Sequence, residues 1–395
     1  MSAGVCVINK NGFALAADSA GTLSNNVIVY NSMNKVFSLS TKLPIGAIIY
    51  DHTTLNGVFI EQIMFEFKNF LVDKQIEVFD DIIVLFNKFI CEYASYYQFN
   101  KTEESYCATV INELVTNWGG KLATEEVIQS TDKIADILNE FKLYIDTCKH
   151  VDSDLSEYVK RNYRNIFEKK IDTICPDLKT KQEQYNQFWE YICQYFNLQM
   201  DCDLKQKVGM LIAGYGEKDA FPKYIELNLY CVVGEILKYE KTNAFDASTG
   251  GAAIQPLAQQ DVILTFCKGI SDTILNLVPE LITKHIESQI DKVNTKIGDD
   301  NSKVIKNTLK DIGEIIKSEI NKQSQKLEVD PLMTAMTCLP LTEMASLAEN
   351  LINITTLRRT YAIDGKQRTV GGPTDVAIFA KGVPTKWFKQ KELYK

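Results

Sequence analysis

The sequence predicts an α+β protein whose strands pair antiparallel and whose helices gather in separate blocks. Three observations carry this expectation. The first fifty residues alternate short apolar runs with turn signals. Residues from about 71 to 200 keep a helical period and are poor in Gly and Pro, and strand-like runs return after residue 208. Strands and helices in blocks of this kind argue for layers rather than alternating βαβ units.

Val5-Cys6-Val7-Ile8 and the run from Phe13 to Ala17 flank Asn9-Lys10-Asn11-Gly12, and Asn-Gly between apolar runs is a strong hairpin signal. Lys35 to Leu39 and Ile45 to Tyr50 form a second pair around Lys42-Leu43-Pro44. The period then changes: Leu55, Val58, Phe59, Ile63, Phe67 and Phe70 recur as on one helix face. Ile134, Ile137, Leu138, Phe141, Tyr144 and Ile145 continue that period through the helical block. Gly209 to Gly214 and Tyr224 to Leu229 read as strands, and a helix starts near Asp261. A polar helical stretch at about 284–327 reads as an amphipathic pair packed on the body, with a partner-binding arm as the alternative. Pro340 opens a further helix that turns Met344, Ala348, Leu351 and Ile352 inward. Gly371-Gly372-Pro373 breaks the chain before a strand at Asp375 to Ala380 and a last one at Thr385 to Phe388.

Composition narrows the function classes. With 45% hydrophobic and 24% charged residues, the 395-residue chain has ample material for a core. Its net charge of −8 and scattered lysines predict no nucleic-acid binding, which needs clustered cations against phosphate. The ten cysteines form no CxxC pair and there are only three histidines, so no metal site and no cofactor are expected. They read as reduced thiols. No apolar run approaches the roughly 20 residues of a membrane helix, and the start lacks the cationic and apolar regions of a signal peptide. The expectation is a soluble, cytoplasmic protein.

Three residues carry the chemistry. Loss of Met1, which a small second residue permits, leaves Ser2 with a free α-amine. A serine hydroxyl is a poor nucleophile until a base takes its proton, and an α-amine with a pKa of about 7.7–8.0 can be that base. Asp18 closes the second strand in Ala16-Ala17-Asp18-Ser19, and Lys35 opens the third after Asn34. Taken singly, these two read as a turn acid and a strand-edge charge.

Their joint spacing resembles the β-type subunits of the proteasome family, the N-terminal-nucleophile hydrolases, and most nearly their bacterial proteasome-like members. There the first mature residue is the nucleophile, an Asp follows sixteen positions on, and a Lys opens the third strand; here Asp18 lies sixteen after Ser2. The resemblance implies a four-layer αββα sandwich of two antiparallel sheets with large helical insertions. It makes Ser2, Asp18 and Lys35 the catalytic residues, with Asp18 holding a charged Lys35 beside the Ser2 hydroxyl. It extends to Met210 to Tyr215, to the Ser248-Thr249-Gly250-Gly251 turn, and to Thr369 to Ile378, which resembles the SGG-x-x-DVA segment. It casts Ser19, Ser248, Gly371 and Gly372 as supporting residues and the turn at Tyr50-Asp51 as a substrate-facing wall. The implied division is a core at 2–70, 201–283 and 328–395, a helical insertion at 71–200 and a helical arm at 284–327. Departures are Ser for the usual Thr nucleophile, Val370 for a supporting Ser, Gln367 (with Asp364 nearby) for a supporting Asp, and Ala20 for a frequent Arg.

The function so implied is an N-terminal-serine protease or amide hydrolase acting through an acyl-enzyme on peptide or protein substrates. The alternatives are a catalytically silent scaffold that binds a partner through its insertions, and an amidase acting on small molecules. An ATPase unfoldase and further copies of the chain are the partners this reading allows. The bulky insertions predict a monomer, a small oligomer or a non-standard ring rather than a seven-fold double ring.

Overall fold

The computed structural model describes residues 2–22, 28–94, 96–97, 99–151, 154–198, 207–293, 299–361 and 370–391. Met1, Asp364, Gln367 and Thr369, singled out above, lie outside them. Ten strands build two five-stranded sheets among these residues: β1 (Ala3–Asn9), β2 (Gly12–Asp18), β3 (Val36–Ser38), β4 (Gly46–Asp51), β5 (Val208–Gly214), β6 (Lys223–Val233), β7 (Ile236–Asp246), β8 (Ala252–Ala258), β9 (Thr374–Ala380) and β10 (Val383–Lys389). The principal helices are α1 (Ile60–Phe70), α2 (Asp81–Tyr93), α3 (Phe99–Leu114), α4 (Thr131–Thr147), α5 (Gln182–Tyr195), α6 (Asp261–Lys268), α7 (Asp272–Val293), α8 (Asp299–Ser324) and α9 (Leu341–Tyr361). The α+β class with antiparallel sheets and large helical insertions therefore holds.

The chain divides into two compact units. One comprises Met1–Val36, Ala220–Lys223 and Phe245–Lys395, the other Phe37–Asp219 and Tyr224–Ala244. The first unit carries the sheet β8-β1-β2-β9-β10, antiparallel throughout. On one face Val5, Val7, Ala14, Ala16 and Val376 pack against Met344, Ala345, Ala348, Leu351 and Ile352 of α9. Alternation puts Cys6, Ile8, Phe13 and Leu15 on the other face, and these are buried too. The second unit carries the sheet β7-β6-β5-β4-β3. Ala47, Ile49, Met210, Ile212, Leu227 and Leu229 meet Ile63, Phe67, Phe86 and Phe89 of α1 and α2 in one core. Each unit thus supplies a sheet and its covering helices.

Most of the helical block builds its own core, in which Ile134, Leu138 and Phe141 of α4 meet Phe188, Trp189 and Ile192 of α5 and Phe167. Arg164 stacks over the rings of Phe167, Tyr185 and Trp189 at 5.1–5.8 Å. Lys238 on β7 is fully buried beside this core, its ammonium 6.0 Å from the Phe196 ring centroid and without a hydrogen-bond partner among the described residues. An unpaired buried amine is unfavourable whichever protonation state it takes. Lys238→Met is therefore expected to stabilise the protein by about 1–3 kcal/mol, read as a higher urea midpoint at unchanged m-value.

Two local features differ from the sequence expectation. The helical period at Leu55, Val58 and Phe59 belongs to a two-stranded hairpin, Thr54–Leu55 with Val58–Phe59. Asn56 (φ 46°) and Gly57 (φ 77°) turn it, and Asn56 holds both backbone groups of Val232 at 2.8 Å. The second is that α7 runs through position 284, so the break in this region is at Gly269, which ends α6. No single helix among the described residues is long and apolar enough to cross a membrane; α6 and the first part of α7 reach that composition only as a pair bent by 72°.

Candidate active site

Strand β2 ends at Asp18, and register sets what surrounds it. Gly4 pairs with Ala17 on one side and Thr374 with Asp18 on the other, so the carboxylate lies between the starts of β1 and β9. Its Oδ1 accepts from the Ala3 N–H at 2.9 Å and from the Lys35 ammonium at 2.7 Å. Its Oδ2 accepts from the Gly371 N–H at 3.0 Å and the Ala20 N–H at 3.3 Å. Both side chains of the ion pair are buried, at 6% and 0% exposure for Lys35 and Asp18. The peptide that follows Ser2 is thus bonded to the same carboxylate oxygen as Lys35.

Burial pulls the Lys35 ammonium below the ordinary lysine range; the charge and hydrogen bond of Asp18 pull it back. Lys391 adds a smaller push downward and Asp375 a smaller pull upward. Ser2 is 4% exposed, and its carbonyl accepts from the Gln259 N–H at 3.2 Å. Ser19 is fully buried, and its hydroxyl has no hydrogen-bond partner among the described residues. The two glycines sit in the approach to β9, where Gly371 donates to Asp18 and Gly372 adopts φ 73°. Val370 is buried.

Ser248 is corrected by the register. Strand β8 pairs Ala258 with Ala3 and Ala252 with Asn9, so the turn before β8 lies at the far end of β1 from Ser2. Six residues of strand separate the two ends, roughly 20 Å. Ser248 is exposed there, its N–H capped by Asp246 at 2.8 Å. The place beside Ser2 belongs to Gln259, whose side chain accepts from the Arg359 guanidinium; Arg359 also donates to Asp261 at 2.5 Å. The sequence reading missed Gln259 and Arg359, which are 98 to 100 residues apart from their partners and share no motif with them.

The Tyr50-Asp51 turn belongs to the second unit. Asp51 adopts φ 64°, the left-handed region that glycine favours. The Tyr50 ring lies over Gly209, where an added Cβ would come within 2.0 Å of it, and its hydroxyl donates to Glu226 Oε1 at 2.5 Å. Tyr50 is buried and presents little surface to a substrate. His52, beyond the turn, lines a cavity of about 370 Å³ with Thr54, Lys207 and Tyr106.

Burial pushes the Tyr50 phenol up, and the adjacent Glu226 pushes it further. Burial likewise raises Glu226 against the lowering bond from Tyr50, and raises Asp51 against the lowering charge of Lys207. An acid raised by folding binds its proton more tightly in the folded state. The stability its neutral form supplies is full below the unfolded value and is lost as pH rises through the folded value. Glu226→Gln keeps an acceptor for Tyr50 without the buried charge. The variant is expected to lose less stability than wild type between pH 4 and 7, measured by urea unfolding.

No protein-family model matches the chain, and no curated protein does. Among solved structures, the chain is similar to Anbu (ancestral beta-subunit) from Yersinia bercovieri. The match covers 99% of this chain and 89% of that one, at 10% identity and a TM-score of 0.29.

Proposed function

We propose that the protein is an N-terminal-serine amide hydrolase of the proteasome type, acting on peptide bonds. The observation that carries this reading is the buried Lys35–Asp18 pair, bonded through the same carboxylate oxygen to the peptide following Ser2. In this mechanism Met1 is removed and the freed α-amine takes the Ser2 hydroxyl proton as the oxygen attacks a peptide carbonyl. The carbonyl carbon becomes bonded to Ser2 and the leaving amine departs with the proton. Water, deprotonated by the same α-amine, then releases the acid and restores the hydroxyl. Lys35 supplies positive charge where the alkoxide develops, and Asp18 fixes its place.

An exposed apolar face on α7 and α8 favours the second reading, a catalytically silent scaffold. Ile274, Leu277 and Leu281 of α7 recur at one helical face and are exposed, as is Ile315 of α8, a surface suited to a protein partner. Turnover of fluorogenic peptides, set against small acylated amines, separates the readings. Peptide turnover lost in Ser2→Ala supports the proposal. Turnover of small amides alone assigns an amidase. Absence of both, in protein shown to begin at Ser2, leaves the scaffold.

A further inference from the structure

A second buried ion pair lies next to the first and pairs Asp375 with Lys391, a residue to which the resemblance gives no role. The Lys391 ammonium is paired with Asp375 Oδ2, and the Lys391 N–H donates to Asp375 Oδ1 at 2.8 Å. The two side chains are 3% and 6% exposed. The same ammonium donates to the Met33 carbonyl at 2.8 Å. Met33 is held from its other side as well, since its N–H donates to the Ser19 carbonyl at 3.1 Å. Asp375 is opposite Ala17 in the β9–β2 register, one position from the place of Asp18. A chain of contacts therefore runs from β9 through Asp375 and Lys391 to Met33, two residues before Lys35.

Buried ion pairs are seldom retained for stability, because desolvation of the two charges offsets their attraction. We propose that Lys391 is a positioning residue for Lys35: it clamps the backbone before Lys35 to β9 and balances Asp375, so that the Lys35 ammonium meets Asp18 in one fixed arrangement. Its bearing on catalysis rests on the hydrolase reading above; its bearing on Lys35 does not. Among the described residues, the charged groups that act on Lys35 include Asp18, Lys391 and Asp375, the last two with opposite sign. Charge alone cancels when both are removed, so a Lys35 midpoint displaced in the double variant separates positioning from electrostatics. Removing the Lys391 charge leaves Asp375 unbalanced and makes Lys35 more basic, whereas removing the Asp375 charge leaves Lys391 and makes Lys35 less basic.

The test uses the full chain with side-chain-labelled lysine, the Lys35 signal being identified by its loss in Lys35→Met. Its titration is followed by NMR in wild type, Lys391→Met, Asp375→Asn and the double variant. The expected result is an upward shift in Lys391→Met, a downward shift in Asp375→Asn and, in the double variant, a midpoint displaced from wild type, because there the charges cancel and only the clamp is lost. Amide exchange at Met33 should quicken about tenfold in Lys391→Met and in the double variant, the effect of losing one charge-assisted hydrogen bond. The double variant keeps the test decisive if a single variant fails to fold, because it leaves no stranded charge. Single shifts of the same sign, no shift in either, a wild-type midpoint in the double variant, or unchanged Met33 exchange would overturn the proposal. A shifted Lys35 in a protein whose Ser2 proves inert would retain the clamp and reject the hydrolase.

Discussion

Asp18→Ala is expected to lower unfolding stability by roughly 3–5 kcal/mol, the cost of stranding one charge of a buried pair. The loss is more than the pair itself, because the Ala3, Ala20 and Gly371 N–H groups lose their acceptor as well. Lys35→Met should cost less. It fills the same space, and Asp18 keeps those three donors. The order of the two variants in urea unfolding is the check. Equal losses would show that Asp18 is not the hub on which β1, β9 and the approach to β3 converge. Depression of the Lys35 pKa adds a sign. The folded state binds fewer protons there, so stability rises as pH climbs through the folded value toward the ordinary lysine range. Lys35→Met should lack that rise.

The second large effect concerns turnover. If Ser2 is the nucleophile and Lys35 stabilises the developing alkoxide, Ser2→Ala should reduce hydrolysis at least about 10³-fold. Lys35→Met, in protein that remains folded, should reduce kcat about 10²–10³-fold, the range seen when one preorganised charge-stabilising group is removed. Steady-state kinetics on a peptide substrate decides both. Full activity in Lys35→Met would remove this residue from the mechanism.

Much of this arrangement was legible because it is local or periodic. The β1–β2 hairpin followed from Asn11-Gly12, and α9 from the spacing of Met344, Ala348, Leu351 and Ile352. Ser2, Asp18 and Lys35 fall within thirty-five residues, and their spacing located the carboxylate and ammonium that the fold pairs at 2.7 Å. What escaped depends on distant segments. Gln259 reaches Ser2 only through the β1–β8 register, and Lys391 reaches Met33 across 358 positions. Ser248 was misplaced because a Ser-Gly turn can precede a strand at either end of the sheet, and only the register says which. The Asn56-Gly57 turn carried the same signal as Asn11-Gly12, but a coincident helical period at Leu55, Val58 and Phe59 masked it. Strand β7 escaped because a polar run, Glu240 to Asn243, interrupts its apolar pattern.

The central claim is that Ser2 becomes an N-terminal nucleophile. Intact-mass spectrometry before and after incubation with a peptide β-lactone, which acylates an activated hydroxyl, tests it most directly. The account predicts a chain lacking Met1 that gains one acyl group, mapped by fragmentation to the Ser2 side chain and absent from Ser2→Ala. A chain that retains Met1, or an adduct that persists in Ser2→Ala, would contradict it.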